Sequence, residues 1–346
     1  MGKQTSNTVL MTGAGYTKNF GGLLADQMWA KIFNHKEVQD KPDLKDLLFD
    51  TFDYESIYHE VCNDDDKDSE KKTYEEDEKN AIRTAVLEAY EKLDVIAQKY
   101  IPATDPSKSN ILYGARKIIN CLIRDMSQIN FFFTLNQDIF VERLISDTEK
   151  SIMWPGIGKR FFIPNSSESR LPLENNNFIN VPDGNKLDTT KRAVDLPNNE
   201  CHYIKLHGSF GWKRSDPDRQ DKLVIGRNKE EQIANEPLLT WYFDLFEQVL
   251  FQGEKKLLII GYGFRDNHIN EVIAKACEKH DMKIYIISPV KPREFINELS
   301  AEDHFYGKQI LRGLSGYFES SFGDLFPPDG SDTLTWKELQ ETFFND

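Results

Sequence analysis

Two kinds of run alternate along this chain. Short, nearly continuous apolar stretches recur at Val9–Met11, Ile129–Thr134 (INFFFT), Cys201–Leu206 (CHYIKL), Lys256–Ile260 and Ile284–Ile287. Runs of this length with no polar face predict strands covered on both sides, as in a parallel sheet. Between them, apolar residues fall at helical spacing: Leu23, Leu24, Met28, Trp29, Ile32 and Phe33 over about 21–33, and a mixed apolar and acidic pattern over 44–62. Ile82, Ala85, Val86, Ala89, Leu93 and Ile96 make one stripe over 81–100, closed off by Pro102 and Pro106, and 111–126 repeats the pattern. Shorter helices are expected over about 139–146 and 269–276. The rhythm is βαβ and predicts an α/β fold with a mostly parallel sheet.

That rhythm is interrupted twice. A helical layer is inserted between the first and second strands, at about 38–128, and it contains the charge run 63–80, expected to be a solvated loop or a fraying helix start. A loop-rich segment at about 150–200 is Asn-, Pro- and Ser-rich (PNSSESRLPLENNNF, DLPNNE) and has no periodicity, which suits a functional cover or a poorly ordered stretch. The segment 301–346 carries an apolar run at 310–318 and a final helix at about 336–344, without evident chemistry. The whole, 1–346, reads as a single domain.

Each strand delivers a polar or glycine-rich turn at its end: Gly13-Ala14-Gly15 with Thr17, Asn136-Gln137-Asp138, His207-Gly208, Gly261-Tyr262-Gly263-Phe264, and Ser288-Pro289. Carboxyl ends of parallel strands are where open α/β sheets bind ligands. Glycines between a strand and a helix let the backbone approach a phosphate and aim N–H groups at it. The spacing is not G-x-G-x-x-G, because Lys18 stands where the third glycine belongs. Asn136 or Asp138 can equally cap the helix that follows. His207 has a glycine beside it that leaves one face of the imidazole open. His202, five positions earlier, falls on the opposite face of its strand.

A formal net charge of -14 opposes nucleic acid and anionic membranes, and no dense Lys/Arg stripe overrides it. The four cysteines, Cys62, Cys121, Cys201 and Cys277, form no C-x-x-C pair, so neither a zinc ribbon nor a disulfide framework is expected. The acidic run lacks the glycine and ligand spacing of a calcium loop, so no metal is assigned. With no apolar run of transmembrane length and no signal-peptide pattern, a cytoplasmic location is expected.

Gly13-Ala14-Gly15 with Thr17, Thr134-Leu135-Asn136-Gln137-Asp138, Lys205-Leu206-His207-Gly208 and Gly261-Tyr262-Gly263-Phe264, in that order, resemble the successive motifs of the sirtuin-like NAD-binding family. The resemblance spans roughly residues 8–290 and implies a Rossmann-like sheet with helices on both faces. It departs from the protein-deacylating sirtuins in two places. Phe20-Gly21-Gly22-Leu23 stands where they carry Pro-Asp-Phe-Arg, and their zinc module with two C-x-x-C pairs has no counterpart, so no zinc is expected. The string Gly261 to Asn270 (GYGFRDNHIN) resembles instead bacterial sirtuin-like effectors of antiphage defence.

That branch implies hydrolysis of NAD to nicotinamide and ADP-ribose, homo-oligomeric assembly, and in some cases a HerA-like ATPase partner. Carried onto this sequence, the resemblance implies catalytic roles for Asn136, His207 and Asp138. Gly13, Ala14, Gly15, Thr17, Asn136, Asp138, Gly261, Gly263, Phe264 and Ser288 are then the NAD-binding residues. Asn136 would orient a water or a ribose hydroxyl, and His207 would act as general base. An NAD-dependent protein deacylase and a non-catalytic nucleotide-sensing assembly subunit are the alternatives. The inserted helical layer from Leu44 to Met126 is the candidate surface for self-association.

Overall fold

The structure is a computed structural model and describes residues 4–62, 73–100, 106–124, 127–145, 152–157, 179–182, 184–198, 200–213, 233–234 and 236–345. Side chains at 97–100, 106–109, 145, 186 and 213 fall outside the description. Nine strands are present among these residues: β1 (Thr5–Thr12), β2 (Ile129–Thr134), β3 (Ile152–Met153), β4 (Ile179–Asn180), β5 (Cys201–Lys205), β6 (Trp212–Lys213), β7 (Lys256–Ile260), β8 (Lys283–Ser288) and β9 (Leu314–Glu319). Seven of them form one sheet in the order β3-β5-β2-β1-β7-β8-β9, and β4 pairs with β6 separately. Every pairing is parallel. The Rossmann-like α/β expectation is borne out, and the sheet is wholly rather than mostly parallel.

The apolar runs explain this arrangement. Alternate residues of each strand feed two different cores. Val9, Met11, Phe131, Phe133, Ile204, Leu257 and Ile259 face one layer of helices; Leu10, Phe132, Tyr203, Leu258 and Ile260 face the other. A strand with both faces buried has no polar alternation to show, hence the continuous apolar runs.

Among the described residues the helices are α1 (Ala14–Lys18), α2 (Ala25–Phe33), α3 (Lys36–Gln39), α4 (Pro42–Asp50), α5 (Tyr54–Cys62), α6 (Glu76–Tyr100), α7 (Pro106–Leu122), α8 (Phe140–Ile145), α9 (Pro237–Leu250), α10 (Asn267–Lys279), α11 (Pro292–Leu299), α12 (Gly307–Gly313), α13 (Phe322–Leu325) and α14 (Leu334–Leu339). Helices α9, α10, α11 and α12 cover the first face, whereas α7, α8, α13 and α14 cover the second. Helices α2 to α6 make a third core of their own, which reaches the sheet domain through Phe210.

Three patterns divide differently from the sequence expectation. The helix expected over 21–33 is two: α1 starts directly at the first glycine turn, and α2 starts only at Ala25. The pattern over 44–62 is broken between α4 and α5, where the Asp53 carboxylate accepts hydrogen bonds from the backbone N–H groups of Glu55 and Ser56 and starts a new helix. The run at 310–318 is the end of α12 followed by edge strand β9, so the sheet gains a strand that its amphipathic sequence concealed. Parts of the charge run and of the segment 150–200 lie outside the described residues; within the latter, β3, β4 and two 3-10 turns are present.

The register sets all strand ends level. Thr12 pairs with Thr134 and with Ile260, Thr134 with Lys205, and Ile260 with Ile287. The turns that follow these five strands therefore leave the sheet along one edge. The chain builds outward from β1 through β2 and β5 on one side and through β7, β8 and β9 on the other, so the switch in direction lies at β1. A crevice at the carboxyl ends of β1 and its neighbours is where such a sheet takes a ligand.

Candidate active site at the strand ends

The two glycine turns pack directly on each other. Gly13 N–H donates to the Ile260 carbonyl at 3.0 Å and Gly15 N–H to the Gly261 carbonyl at 2.8 Å. A Cβ on Gly261 would lie 2.1 Å from the Tyr16 nitrogen, and one on Gly15 would lie 2.7 Å from the Gly261 Cα. Gly261 also has φ +69°, a left-handed conformation that glycine adopts without steric cost. These contacts correct one expectation. The N–H groups of Gly13 and Gly15, read as pyrophosphate donors, are spent on the neighbouring turn. Ala14 is the exposed residue of the first turn.

Asn136 ties β2 to the same turn. Its Nδ2 donates to the Gly13 carbonyl at 3.0 Å, while its backbone N–H donates to Thr134 Oγ1 at 3.1 Å. An amide held by its nitrogen presents its oxygen in a fixed direction. Asp138 is half-buried, and its Oδ1 accepts the Phe140 N–H at 2.9 Å, an Asx-type turn that leads into α8, whose N-cap position is Ile139. Burial raises the Asp138 carboxyl above the usual carboxylate range, opposed by the Lys205 ammonium, the Phe140 N–H and the Thr17 hydroxyl. Thr17 also donates to the Ala14 carbonyl at 3.2 Å.

Beneath this point lies a buried charged cluster that sequence reasoning missed. Lys205 Nζ donates to Glu142 Oε1 at 2.7 Å and to the Asp138 carbonyl at 2.5 Å. Burial raises the Glu142 carboxyl, with Lys205 pulling the other way. Arg143 holds Asp94 of α6 in a two-point pair, at 2.5 and 2.6 Å. On the same helix the Tyr90 hydroxyl donates to Gln137 Oε1 at 2.5 Å. Thus α6 of the inserted layer is anchored across the end of β2. Between them is a narrow crevice lined by Thr17, Phe20, Leu93, Asp94, Asp138 and Phe140, among others.

His207 follows β5 and is buried. Its Nε2 lies 3.0 Å from Nε2 of His268 on α10, and the rings are tilted by 40°. His268 was visible in the Gly261 to Asn270 string, yet nothing in its spacing linked it to His207. The link exists because α10 begins right after the second glycine turn. His202 lies at the other end of β5, with its ring nitrogen 2.9 Å from the Pro197 carbonyl.

The remaining residues sit differently. Gly263 is exposed, with open space where a Cβ would be. Phe264 has φ +54° and a buried ring packed on Tyr262 and Phe295 in the core, so only its backbone belongs to the turn. Ser288 ends β8, two strands from β1, and its Oγ accepts the Val290 N–H at 3.2 Å. The strand ends of β1, β2, β5 and β7 are therefore joined by direct contacts, and Phe264 and Ser288 stand outside that set.

A family model described as SIR2-like domain matches residues 130–306, just over half of the chain. The match runs from β2 into the segment before α12 and leaves the first glycine turn outside it. No curated protein sequence matches the chain.

Gly261→Ala should lose at least about 2 kcal/mol in urea unfolding, from the left-handed backbone and the clash with Tyr16. Gly263→Ala should stay within about 0.5 kcal/mol of wild type, because its Cβ enters open space. Equal stability of the two variants would contradict the packed-turn description.

Proposed function

The chain belongs to the SIR2-like domain family, and on that premise we propose that it is an NAD glycohydrolase, cleaving NAD to nicotinamide and ADP-ribose. SIR2-like domains bind NAD and are commonly NAD-dependent enzymes. The observation that carries the finer reading is the contact chain at the strand ends: Asn136 on Gly13, Gly15 on Gly261, and His207 on His268.

Nicotinamide departs as a neutral pyridine and leaves a ribose with oxocarbenium character. The protein must hold that ribose and deliver water. Asn136, fixed through Nδ2, offers Oδ1 to a water or ribose hydroxyl, a positioning effect. His207 accepts the proton, with His268 as the second imidazole of a dyad; general base catalysis of this kind is worth about 10² to 10⁴ in rate. Asp138, which lines the crevice beside Thr17, holds a ribose hydroxyl. With Gly13 and Gly15 engaged, the pyrophosphate falls to the exposed edge at Ala14 and Gly263. The crevice beside Asp138 is far too tight to enclose either end of a dinucleotide, so the ligand lies along the open strand-end edge.

The proposal extends to a setting in antiphage defence, where NAD depletion is the outcome, and to a homo-oligomer with or without a HerA-like ATPase partner. The Gly261 to Asn270 string supports the first part. Phe49 and Phe52, 68% and 69% exposed on the inserted layer, support self-association.

Purified protein incubated with NAD alone should release nicotinamide and ADP-ribose by chromatography, and Asn136→Ala and His207→Ala should each lower the rate at least about 100-fold. Release that requires an acyl-lysine peptide would move the assignment to a deacylase. NAD binding without turnover, with or without peptide, would favour a sensing subunit. Mass photometry should show an oligomer that Phe49→Ser with Phe52→Ser weakens; a single monomeric species at every concentration contradicts the assembly.

A further inference from the structure

We propose that His207, Asp266 and His268 form a binding site for a divalent transition metal of the zinc class. The two Nε2 atoms face each other at 3.0 Å. One ligand atom from each of the three residues lies within 4.8 Å of the others. Both imidazoles are buried, at 3% and 7% exposure, and Asp266 is half-buried. Two imidazoles and one carboxylate are a donor set that suits zinc and the later first-row metals, whereas calcium and magnesium prefer oxygen alone.

The spacing of the two imidazole nitrogens is close to what one ion requires. With metal–nitrogen bonds of about 2.0–2.1 Å, nitrogens 3.0 Å apart subtend about 91–97° at a shared ion. Opening to a tetrahedral angle needs a separation larger by only about 0.3 Å. The third donor is also placed for the purpose. Asp266 is the N-cap residue of α10, but its side chain makes no capping hydrogen bond. Its carbonyl instead accepts the N–H groups of Ile269 and Asn270, and the Tyr262 hydroxyl contacts its backbone on both sides. The backbone that carries the carboxylate is therefore fixed, two residues from His268.

The metal-free pair needs one Nε2–H and one bare Nε2, that is, opposite tautomers. An ion instead takes both Nε2 lone pairs. Metal and shared proton thus exclude each other at this dyad. The site stands on its own donor atoms and does not depend on NAD turnover, so its test reads metal directly.

The full chain, stripped with a chelator, reloaded with Zn²⁺ and desalted, should retain about one zinc per chain by mass spectrometry of the metal. Co²⁺ should give visible d–d absorption without a thiolate charge-transfer band, which separates this site from the four cysteines. His268→Gln and His207→Gln should lose the ion, and Asp266→Asn should bind at least about tenfold more weakly. Zinc retained by the histidine variants as in wild type, a thiolate band in the cobalt spectrum, or no stoichiometric metal in wild type would overturn the proposal. The wild-type cobalt spectrum decides even where a variant fails to fold.

Discussion

The close approach of two glycine turns, backbone on backbone, is the constraint from which the rest of the strand-end architecture follows. With no Cβ on Gly15 or Gly261, the loop after β1 and the loop after β7 come within one chain thickness, and the carbonyls of Ile260 and Gly261 satisfy the N–H donors of Gly13 and Gly15. The approach starts α1 immediately at Gly13 and drops Tyr16 and Phe20 into the core beneath, where Phe20 stacks on Phe140 at 4.3 Å. It also fixes where α10 begins. His268 is then carried to His207 from the far side of β1, and the Gly13 carbonyl is presented to Asn136. One steric allowance thus brings residues far apart in sequence to one place.

The second structural element is a set of buried charges. Burying Lys205 with Glu142, or Arg143 with Asp94, adds little net stability, because desolvation offsets much of the attraction. What such pairs supply here is register. The Arg143–Asp94 pair and the Tyr90–Gln137 bond hold α6 across the end of β2 at one angle, and Lys205 clamps the Asp138 carbonyl and α8. The crevice wall is made by this clamp, since Leu93 and Asp94 of α6 line it together with Asp138. The inserted layer is therefore part of the site as well as a third core.

Much of this was legible in the chain. The runs at 129–134 and 256–260 coincide with β2 and β7, because a strand buried on both faces leaves an unambiguous apolar signature. The family was legible for the same reason: its motifs sit at strand ends that the apolar runs mark. Edge strand β9 was not, since its residues are largely half-exposed and their pattern lacks a buried strand's continuity. At the site, residue type pointed to Asn136 and His207, but partners could not be read. Whether a glycine N–H meets a phosphate or a neighbouring carbonyl depends on what packs against it, and Gly261 lies far along the chain from Gly15. The pairing of His207 with His268, and of Asp94 with Arg143, likewise depends on tertiary placement that no local spacing encodes.

The central claim is that a dinucleotide lies across the carboxyl ends of β2, β1 and β7, with its nicotinamide ribose between Asn136 and His207. A crystal structure of Asn136→Ala protein soaked with NAD addresses it most directly, since the substitution is expected to slow turnover and removes none of the backbone bonds that join Gly13 and Gly15 to Ile260 and Gly261. Intact NAD with its ribose beside position 136 and His207, and its pyrophosphate at Ala14 and Gly263, is the expected result. NAD bound elsewhere on the chain, or no bound NAD at saturating concentration, would contradict it.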